Sequence, residues 1–263
     1  MQQFSLLPML DDGATEVPES VADVIGELLA KAPCQNCRLS LLHPKNRGVM
    51  YRGNPNGQIA ILDIAPGAVE TQQGIPLCGR GGQEFERWMR YAGVNVKQDA
   101  FVTSIIQCAP PTKKNKDGFM VAREPLFDEI SACWYPRTLR LIQAMPNLEC
   151  VITLGFPAAQ ALLGGKPIAK SHEGRWFVSS LLPGIPVFCL DHPDLLIAKP
   201  TPEKKGKLKV ILDCFRREYV QTRKVVEIGK ATSLQEAYIT GTEVESDEGS
   251  LYRSEDSVFG DDV

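Results

Sequence analysis

Four short apolar segments rich in β-branched residues constrain the fold more than any other feature of the sequence. They lie at residues 58–65, 100–107, 150–155 and 186–192, and none of them alternates strictly between apolar and polar positions. This pattern is typical of parallel strands that are covered on both faces. Because helical patterns lie between these segments, we expect an α/β fold, a three-layer α/β/α sandwich around a four-stranded, mostly parallel sheet.

The segments between and beside these strands carry helical patterns. We predict helices at residues 18–32, 81–93, 124–145, 156–165 and 207–224, the third of them continuous or divided at Pro136. The last of these helices is basic and amphipathic. Its apolar side chains are expected to face inward: Leu208, Ile211, Leu212, Phe215 and Tyr219.

The carboxyl ends of parallel strands meet at one edge of a sheet, and ligands of open α/β sheets bind there. We call this edge the rim. In this sequence it is expected to hold Asp63–Gly67, Ser104–Pro111, Gly155 and Asp191–Pro193.

The net charge of −3 hides an uneven distribution along the chain. Residues 1–33 carry one basic and six acidic residues, a net charge of −5, and residues 226–263 carry two basic and ten acidic residues, a net charge of −8. The region between them, residues 34–225, carries 26 basic and 16 acidic residues, a net charge of +10. This basic region fits an anionic partner such as nucleic acid, and it equally fits a solvated surface balanced by the protein's own ends.

These differences predict three parts of the chain. They are an acidic, helical extension at residues 1–33, an α/β/α domain at residues 34–225 and an acidic, flexible tail at residues 226–263. Such a tail can dock a partner protein or mimic nucleic acid, although most tails of this kind only solvate. No apolar run is long enough to span a membrane, and the N-terminus does not resemble a signal peptide, so we expect a cytoplasmic protein without a disulfide framework.

The eight cysteines fall into two groups. Cys34 and Cys37 form a C-x2-C pair, which a turn can direct at one metal centre. Cys108 after the second strand and Cys133 in a helical segment could complete a four-thiolate site. This spacing alone leaves zinc and an iron–sulfur cluster both open. The other four are expected to be small, buried apolar residues: Cys78, Cys150, Cys189 and Cys214.

The order of motifs resembles the uracil-DNA glycosylase superfamily, and most closely its iron–sulfur families, numbered 4 and 5. The motifs are CQNC, DIAPGAVETQQGIPLCGRGG, VTSIIQCAPP, a further cysteine, VITLGFPAAQALLG and LDHPDLL, and they cover about residues 34–198. The resemblance implies a DNA partner and hydrolysis of the bond between an altered base and its sugar. It also implies a structural [4Fe-4S] cluster rather than zinc, bound by Cys34, Cys37, Cys108 and Cys133.

The resemblance assigns the central catalytic role to His192, in the family's His-Pro motif. Breaking an N-glycosidic bond leaves negative charge on the departing base, and a donor in a dry site stabilises that charge. The other two histidines, His43 and His172, lie in polar segments and are expected at the surface. Leu195 and Leu196 follow on the same loop, where family members place an apolar wedge that enters the vacated base stack. Either leucine could instead be an ordinary core residue.

The predicted base pocket departs from family 4 at three places. Ile64 in the segment Asp63-Ile64-Ala65-Pro66-Gly67 replaces the glutamate of family 4, as an apolar residue does in family 5. Leu77 replaces a stacking aromatic residue, and Ser104 replaces an asparagine that reads the base. We expect polar groups around Asp63 and Ser104 to hold the attacking water. Together these replacements imply an altered base preference, weak activity or lost activity.

The glycine-rich loop GIPLCGRGG resembles the family's contact with the DNA backbone. Gly79, Arg80, Gly81 and Gly82 are its expected DNA-binding residues, because glycines permit close approach of a phosphate and arginine supplies charge. The basic insert at residues 112–127 is either an arm along DNA or a solvated loop.

Two classes of function follow from the sequence. The first is an iron–sulfur DNA glycosylase that removes uracil or another altered base. The second is a glycosylase-like protein that binds DNA, or a partner in replication or repair, without cutting the glycosidic bond. Retention of His192 favours the enzyme, whereas the altered pocket and the acidic tail favour the binding protein.

Overall fold

The structure is a computed structural model that describes residues 20–31, 34, 37–42, 48–114, 120–163 and 172–222. The acidic tail predicted at residues 226–263, most of the extension predicted at residues 1–33, and His43 lie outside these residues. The three-part division of the chain therefore stays a prediction.

The main sheet has six strands rather than the four expected, in the order β1-β3-β2-β6-β8-β7. The four predicted strands form its parallel centre, and β1 and β7 are antiparallel strands at the two edges. The strands of this sheet are β1 Arg52–Gly53, β2 Ile59–Asp63, β3 Ala100–Ser104, β6 Cys150–Leu154, β7 Trp176–Ser179 and β8 Leu182–Leu190.

The two edge strands escaped prediction because both are short. β1 has only two residues, and β7 has four residues, which pair with the following strand β8 through a tight hairpin. Neither is long enough to show a periodicity. A second, two-stranded sheet pairs β4 Thr112–Lys114 with β5 Met120–Ala122 in antiparallel fashion, and both strands belong to the basic insert.

Helices are present at every segment where the sequence predicts one. They are α1 Val21–Ala30, α2 Arg38–Leu42, α3 Ala68–Gln73, α4 Arg80–Ala92, α5 Val96–Asp99, α6 Phe127–Cys133, α7 Arg140–Gln143, α8 Phe156–Leu162, α9 Pro193–Ala198 and α10 Pro202–Phe215. Wide π-helical turns extend α6 through Trp134–Leu139 into α7, and extend α10 through Arg216–Gln221. Pro136 lies in the first of these turns. At this proline the helix widens locally instead of dividing in two.

Helices cover both faces of the sheet, as the sandwich prediction requires. Successive strand residues point to opposite faces, so Ile59 and Ile61 pack on one side and Ala60 and Leu62 on the other. The first core lies between the sheet and the helices α1, α6, α7 and α8. The second core lies under α4 and α10, and it includes all five residues of α10 and its extension that were predicted to face inward. Within the described residues, no helix is long and apolar enough to cross a membrane.

Candidate functional site

The structure brings His192 and Asp63 together at the rim. Asp63 is the last residue of β2, and His192 lies two residues after β8, where it caps the N-terminus of α9. The His192 Nε2 atom is 3.0 Å from Asp63 Oδ1. His192 Nδ1 accepts a hydrogen bond of 3.2 Å from the backbone N–H of Asp194. Since Nδ1 is an acceptor, we assign the ring hydrogen to Nε2, which donates it to Asp63.

The surroundings of His192 raise its pKa above the ordinary histidine value. Burial is the largest influence and lowers the pKa, but the hydrogen bond to Asp63 and the negative charges of Asp63, Asp194 and Glu70 together outweigh it. Protonation would place a second hydrogen on Nδ1, so the imidazolium form requires the hydrogen bond from the Asp194 N–H to break.

Asp63 and Ile64 point to opposite faces of the sheet, and this separates their roles. Asp63 continues the row of Ile59 and Ile61 on the second-core side, whereas Ile64 packs against the first core. Asp63 therefore reaches His192 but does not occupy the position of the replaced glutamate.

Ser104 lies beside Asp63 on the neighbouring strand. The two residues are paired in the parallel register of β2 and β3, so their side chains share a face. Ser104 is fully buried at 0% exposure, and its Oγ has no hydrogen-bond partner among the described residues. A buried hydroxyl without a partner costs free energy, so this atom has an unused capacity to bind a polar group.

His172 is buried at 5% exposure, so the expectation of a surface histidine is wrong. Its ring packs edge-on against Phe156 with the ring centroids 5.6 Å apart, and its Nε2 atom is 3.8 Å from Asp191 Oδ1. The polar sequence around it gave no sign of this burial, because the covering residues come from α8 and β8.

The predicted pocket residues differ in their exposure. Ile64, Ala65 and Gly67 are half-buried, and Pro66 is buried. Leu77 is only 3% exposed and packs in the second core. Its φ angle of 51° is positive, which is costly for a residue with a side chain and is typical of functional loops.

The glycine-rich loop exposes its arginine but not two of its glycines. Arg80 begins α4 and is exposed, whereas Gly81 and Gly82 are buried. A Cβ on Gly82 would lie 1.7 Å from the carbonyl oxygen of Leu77, so glycine is needed for that close approach. The N–H of Gly79 donates to Glu70 Oε1 at 2.7 Å.

The two leucines after His192 have different surroundings. Leu195 is 57% exposed on α9, and Leu196 packs against the second core. Leu195 can therefore enter a base stack directly, whereas Leu196 would first have to leave the core.

All four predicted metal ligands line one cavity on the first-core side of the rim. The cavity is bounded by Cys34, Cys37, Cys108 and Cys133, together with Gln107 and Arg137, and part of it is open to solvent. The backbone N–H of Gln107 donates to Cys133 Sγ at 3.3 Å, and Arg137 Nε donates to Gln107 Oε1 at 3.0 Å.

Burial and neighbouring cysteines disfavour the thiolate forms in this cavity. Burial, followed by the charges of Cys34 and Cys37, raises the pKa of Cys108 to about 11. Burial raises the pKa of Cys133 to about 12, although the Gln107 N–H opposes it. No three His, Cys, Asp or Glu side chains of the described residues lie close enough to hold one metal ion. Four cysteine thiols are a donor set that zinc and iron–sulfur centres both use.

Of the remaining cysteines, Cys150 and Cys189 are buried in the cores as expected, while Cys78 and Cys214 are only half-buried. Two residues of the site were missed from the sequence: Glu70 and Arg52. Glu70 lies three positions after Gly67, the spacing at which an acidic side chain returns to the start of a helix, and this spacing could have indicated it. Arg52 belongs to the two-residue strand β1 and offered no such signal.

Comparisons with known proteins show which proteins the chain is similar to. Residues 50–215 match the family model of the uracil DNA glycosylase superfamily. The chain is 28% identical to a type-4 uracil-DNA glycosylase from Pyrobaculum aerophilum over 178 residues, which is 63% of this chain and 82% of that protein. A solution NMR structure of a candidate uracil DNA glycosylase from Methanosarcina acetivorans aligns with a TM-score of 0.37 at 12% identity, covering 63% of this chain and 94% of that one.

Proposed function

The chain belongs to the uracil-DNA glycosylase superfamily, and we propose that it hydrolyses the N-glycosidic bond of uracil or another altered base in DNA. The single observation that supports this most is the pairing of His192 with Asp63 at 3.0 Å on the rim. A histidine held next to a buried carboxylate, at the edge where α/β sheets bind ligands, is suited to stabilise a departing anion.

In this proposal His192 stabilises the base as it leaves. The target base first leaves the stack and enters the site, and bond cleavage then places negative charge on it. Asp63 orients the imidazole through Nε2 and favours its protonated form, whose positive charge balances the charge on the base. The ring then donates an N–H to the base once the bond from the Asp194 amide to Nδ1 is exchanged.

Asp63 and Ser104 hold the water that attacks the sugar. Asp63 Oδ1 already accepts from His192 and from the Ile64 N–H at 2.7 Å, which leaves its second oxygen for a water molecule. The Ser104 hydroxyl has no partner among the described residues and lies on the same face. Both groups are buried, so a water bound there would be shielded from bulk solvent.

The pocket selects a base differently from family 4. Ile64, Ala65, Pro66 and Gly67 form one wall, and Leu77 lies behind it in the core rather than under the base. With no aromatic ring from Leu77 and a single hydroxyl at Ser104, the pocket provides less stacking and fewer contacts to the base edge. We therefore propose a base preference broader than uracil.

DNA is held by groups on the same rim. Arg80 is exposed at the N-terminus of α4, where its charge favours a phosphate. Leu195, rather than Leu196, is the wedge that fills the space left by the extruded base. The acidic tail remains a proposed contact for a partner protein.

Cys34, Cys37, Cys108 and Cys133 hold a [4Fe-4S] cluster. The support is that all four cysteines line one cavity and supply the thiolate donors that such a cluster uses. When bound, the cluster would supply no reaction step and would tie together the segments that carry its ligands. Zinc is the alternative, and iron and sulfide analysis of anaerobically purified protein separates the two.

A second function is a glycosylase-like protein that binds DNA without cleaving it. One observation favours it: both ring nitrogens of His192 already have partners, so the ring must exchange a bond before it can contact a base.

The decisive experiment is base release from labelled oligonucleotides. Uracil, hypoxanthine, xanthine and 5-substituted uracils are presented in single and double strands, and alkaline cleavage reports each abasic site. His192→Asn is the matched variant, because asparagine also caps a helix N-terminus and so preserves α9 while removing the imidazole. Release by the wild type but not by His192→Asn supports the enzyme. Salt-sensitive DNA binding without release of any base supports the binding protein.

A further inference from the structure

One carboxylate joins the two loops that carry the proposed pocket and the proposed DNA contact. Glu70 lies on α3, between these loops, and is half-buried. Its Oε2 accepts from the backbone N–H of Gly67 at 3.1 Å, and its Oε1 accepts from the backbone N–H of Gly79 at 2.7 Å. Gly67 ends the pocket segment, and Gly79 precedes α4.

Both glycines make room for this carboxylate. A Cβ on Gly67 would lie 2.7 Å from Glu70 Oε2, and a Cβ on Gly79 would lie 2.8 Å from Glu70 Oε1. A larger residue at either position would displace the side chain that joins the loops. The two glycines therefore bind the Glu70 carboxylate of the protein itself. The Gly79 N–H is already hydrogen-bonded to it when no phosphate is present.

Arg52 holds the same loop from the other side. Its Nε donates to the carbonyl of Pro76 at 2.8 Å, and its Nη2 donates to the carbonyl of Leu77 at 3.1 Å. Its Nη1 is 2.7 Å from Glu86 Oε1 on α4. Arginine can make these three bonds at once because its guanidinium is a planar fork.

Between these two anchors lies Leu77 with its positive φ angle of 51°. A residue in this conformation is strained and persists only when its surroundings fix it. The loop is thus bonded at Pro76 and Leu77 through carbonyl groups and at Gly79 through an amide group. Hydrogen bonds to charged side chains are the stronger kind, which suits them to hold a strained segment.

We propose that Glu70 is a positioning residue that, with Arg52 as its counterpart, fixes the distance between the base pocket at Ile64–Gly67 and the phosphate contact at Arg80. This inference rests on the proposed function. DNA gripped at Arg80 can place an extruded base at His192 only if the two loops keep a constant spacing. We call Glu70 and Arg52, with the hydrogen bonds they make to these loops, the clamp. Small misplacements of a reacting group reduce the rate strongly, so the clamp affects turnover more than substrate affinity.

The test compares Glu70→Gln and Glu70→Ala with Glu149→Gln, which removes the same charge from an exposed glutamate before β6, at the edge of the sheet opposite the rim. Amide hydrogen exchange at Gly67 and Gly79 is measured by NMR on the whole protein, together with kcat and KM for base release. Exchange should accelerate at both glycines in Glu70→Ala and less in Glu70→Gln, whose amide oxygen still accepts. We expect kcat to fall about 10- to 100-fold in Glu70→Ala with a much smaller change in KM.

The outcomes separate the clamp from the proposed function. Unchanged exchange at Gly79 in a folded Glu70→Ala variant would overturn the clamp. Faster exchange with unchanged kcat would overturn its role in the reaction. If the wild type releases no base, the proposed function fails, and the clamp is then judged by amide exchange at Gly67 and Gly79 alone. Should Glu70→Ala fail to fold, Glu70→Gln and Arg52→Lys give the same comparison, because lysine cannot reproduce the three bonds of Arg52.

Discussion

A single aspartate determines how the central histidine of this site behaves. Asp63 provides the hydrogen bond and the largest of the charges that raise the pKa of His192 against the effect of burial. The sequence motif did not reveal this pair. Asp63 is adjacent to Ile64, which replaces the glutamate of family 4, and adjacent residues of a strand point to opposite faces. Only the position of α9, which turns His192 toward that face, brings the two residues together.

We predict that Asp63→Asn lowers the pKa of His192 relative to the wild type. Without the carboxylate, burial of the ring is opposed only by the charges of Asp194 and Glu70, so the neutral imidazole is favoured more than in the wild type. NMR titration of the His192 ring measures the change, with Asp128→Asn, an exposed aspartate, as the control. A titration midpoint that is the same in both variants would contradict the pairing.

The same pair makes stability depend on pH. Because the pKa of His192 is raised in the folded protein, its proton stabilises the fold fully below about pH 6.5, the value in the unfolded chain. That contribution is lost as the pH rises through the raised pKa. His192→Asn should therefore lower the free energy of unfolding more in mildly acidic than in alkaline urea titrations. A difference that does not vary with pH would show that the proton makes no contribution.

At the scale of elements, helix α4 lies directly against the Leu77 loop at Gly82. Gly82→Ala would place a Cβ 1.7 Å from the Leu77 carbonyl oxygen, whereas nothing lies within 4 Å of a Cβ on Gly206 in α10. We predict that Gly82→Ala destabilises the protein by about 1–3 kcal/mol through overpacking. Gly206→Ala should stabilise it by about 0.5–1 kcal/mol, because alanine favours the helix. Thermal unfolding of both variants measures these effects, and equal melting temperatures would refute the close approach.

The cysteine cavity joins α2, the end of β3 and the end of α6 on the first-core side. We predict that Cys108→Ala loses iron and visible absorbance and is purified in lower yield, because metal binding and folding are coupled. Cys214→Ala, which changes a half-buried cysteine outside the cavity, should keep both. The iron content of the two anaerobically purified variants measures this effect. Equal iron in both would remove Cys108 from the ligand set.

At the scale of the whole molecule, charge is separated between the middle of the chain and its ends. Removing residues 226–263 changes the net charge from −3 to +5. We predict that the shortened chain binds DNA more tightly at low salt, because fewer acidic residues repel the phosphates. Fluorescence anisotropy at two salt concentrations measures this, and the difference should shrink as salt rises. Equal affinity of both chains at low salt would show that the tail has no electrostatic effect on DNA.

The sequence predicted the centre of the molecule better than its edges. Long apolar segments such as Ile59–Asp63 and Cys150–Leu154 carry a strong signal, because strands buried on both faces must be apolar throughout. The edge strands are too short for any pattern, and the burial of His172 depends on residues distant in sequence. The candidate site was predicted as a set of residues on one rim, but the bonds between Glu70, Arg52 and the glycine loop depend on tertiary distances that no local pattern contains.

The short strand at one edge of the main sheet has a consequence for how the protein behaves at high concentration. A long exposed edge presents a row of unpaired backbone groups to which a strand of another molecule can add. β1 has only two residues, and the other edge strand, β7, has an irregular register at Val178 and Ser179. Neither edge offers a regular template, so the fold resists edge-to-edge self-association, and mutations that extend β1 would be expected to promote aggregation before they affect folding.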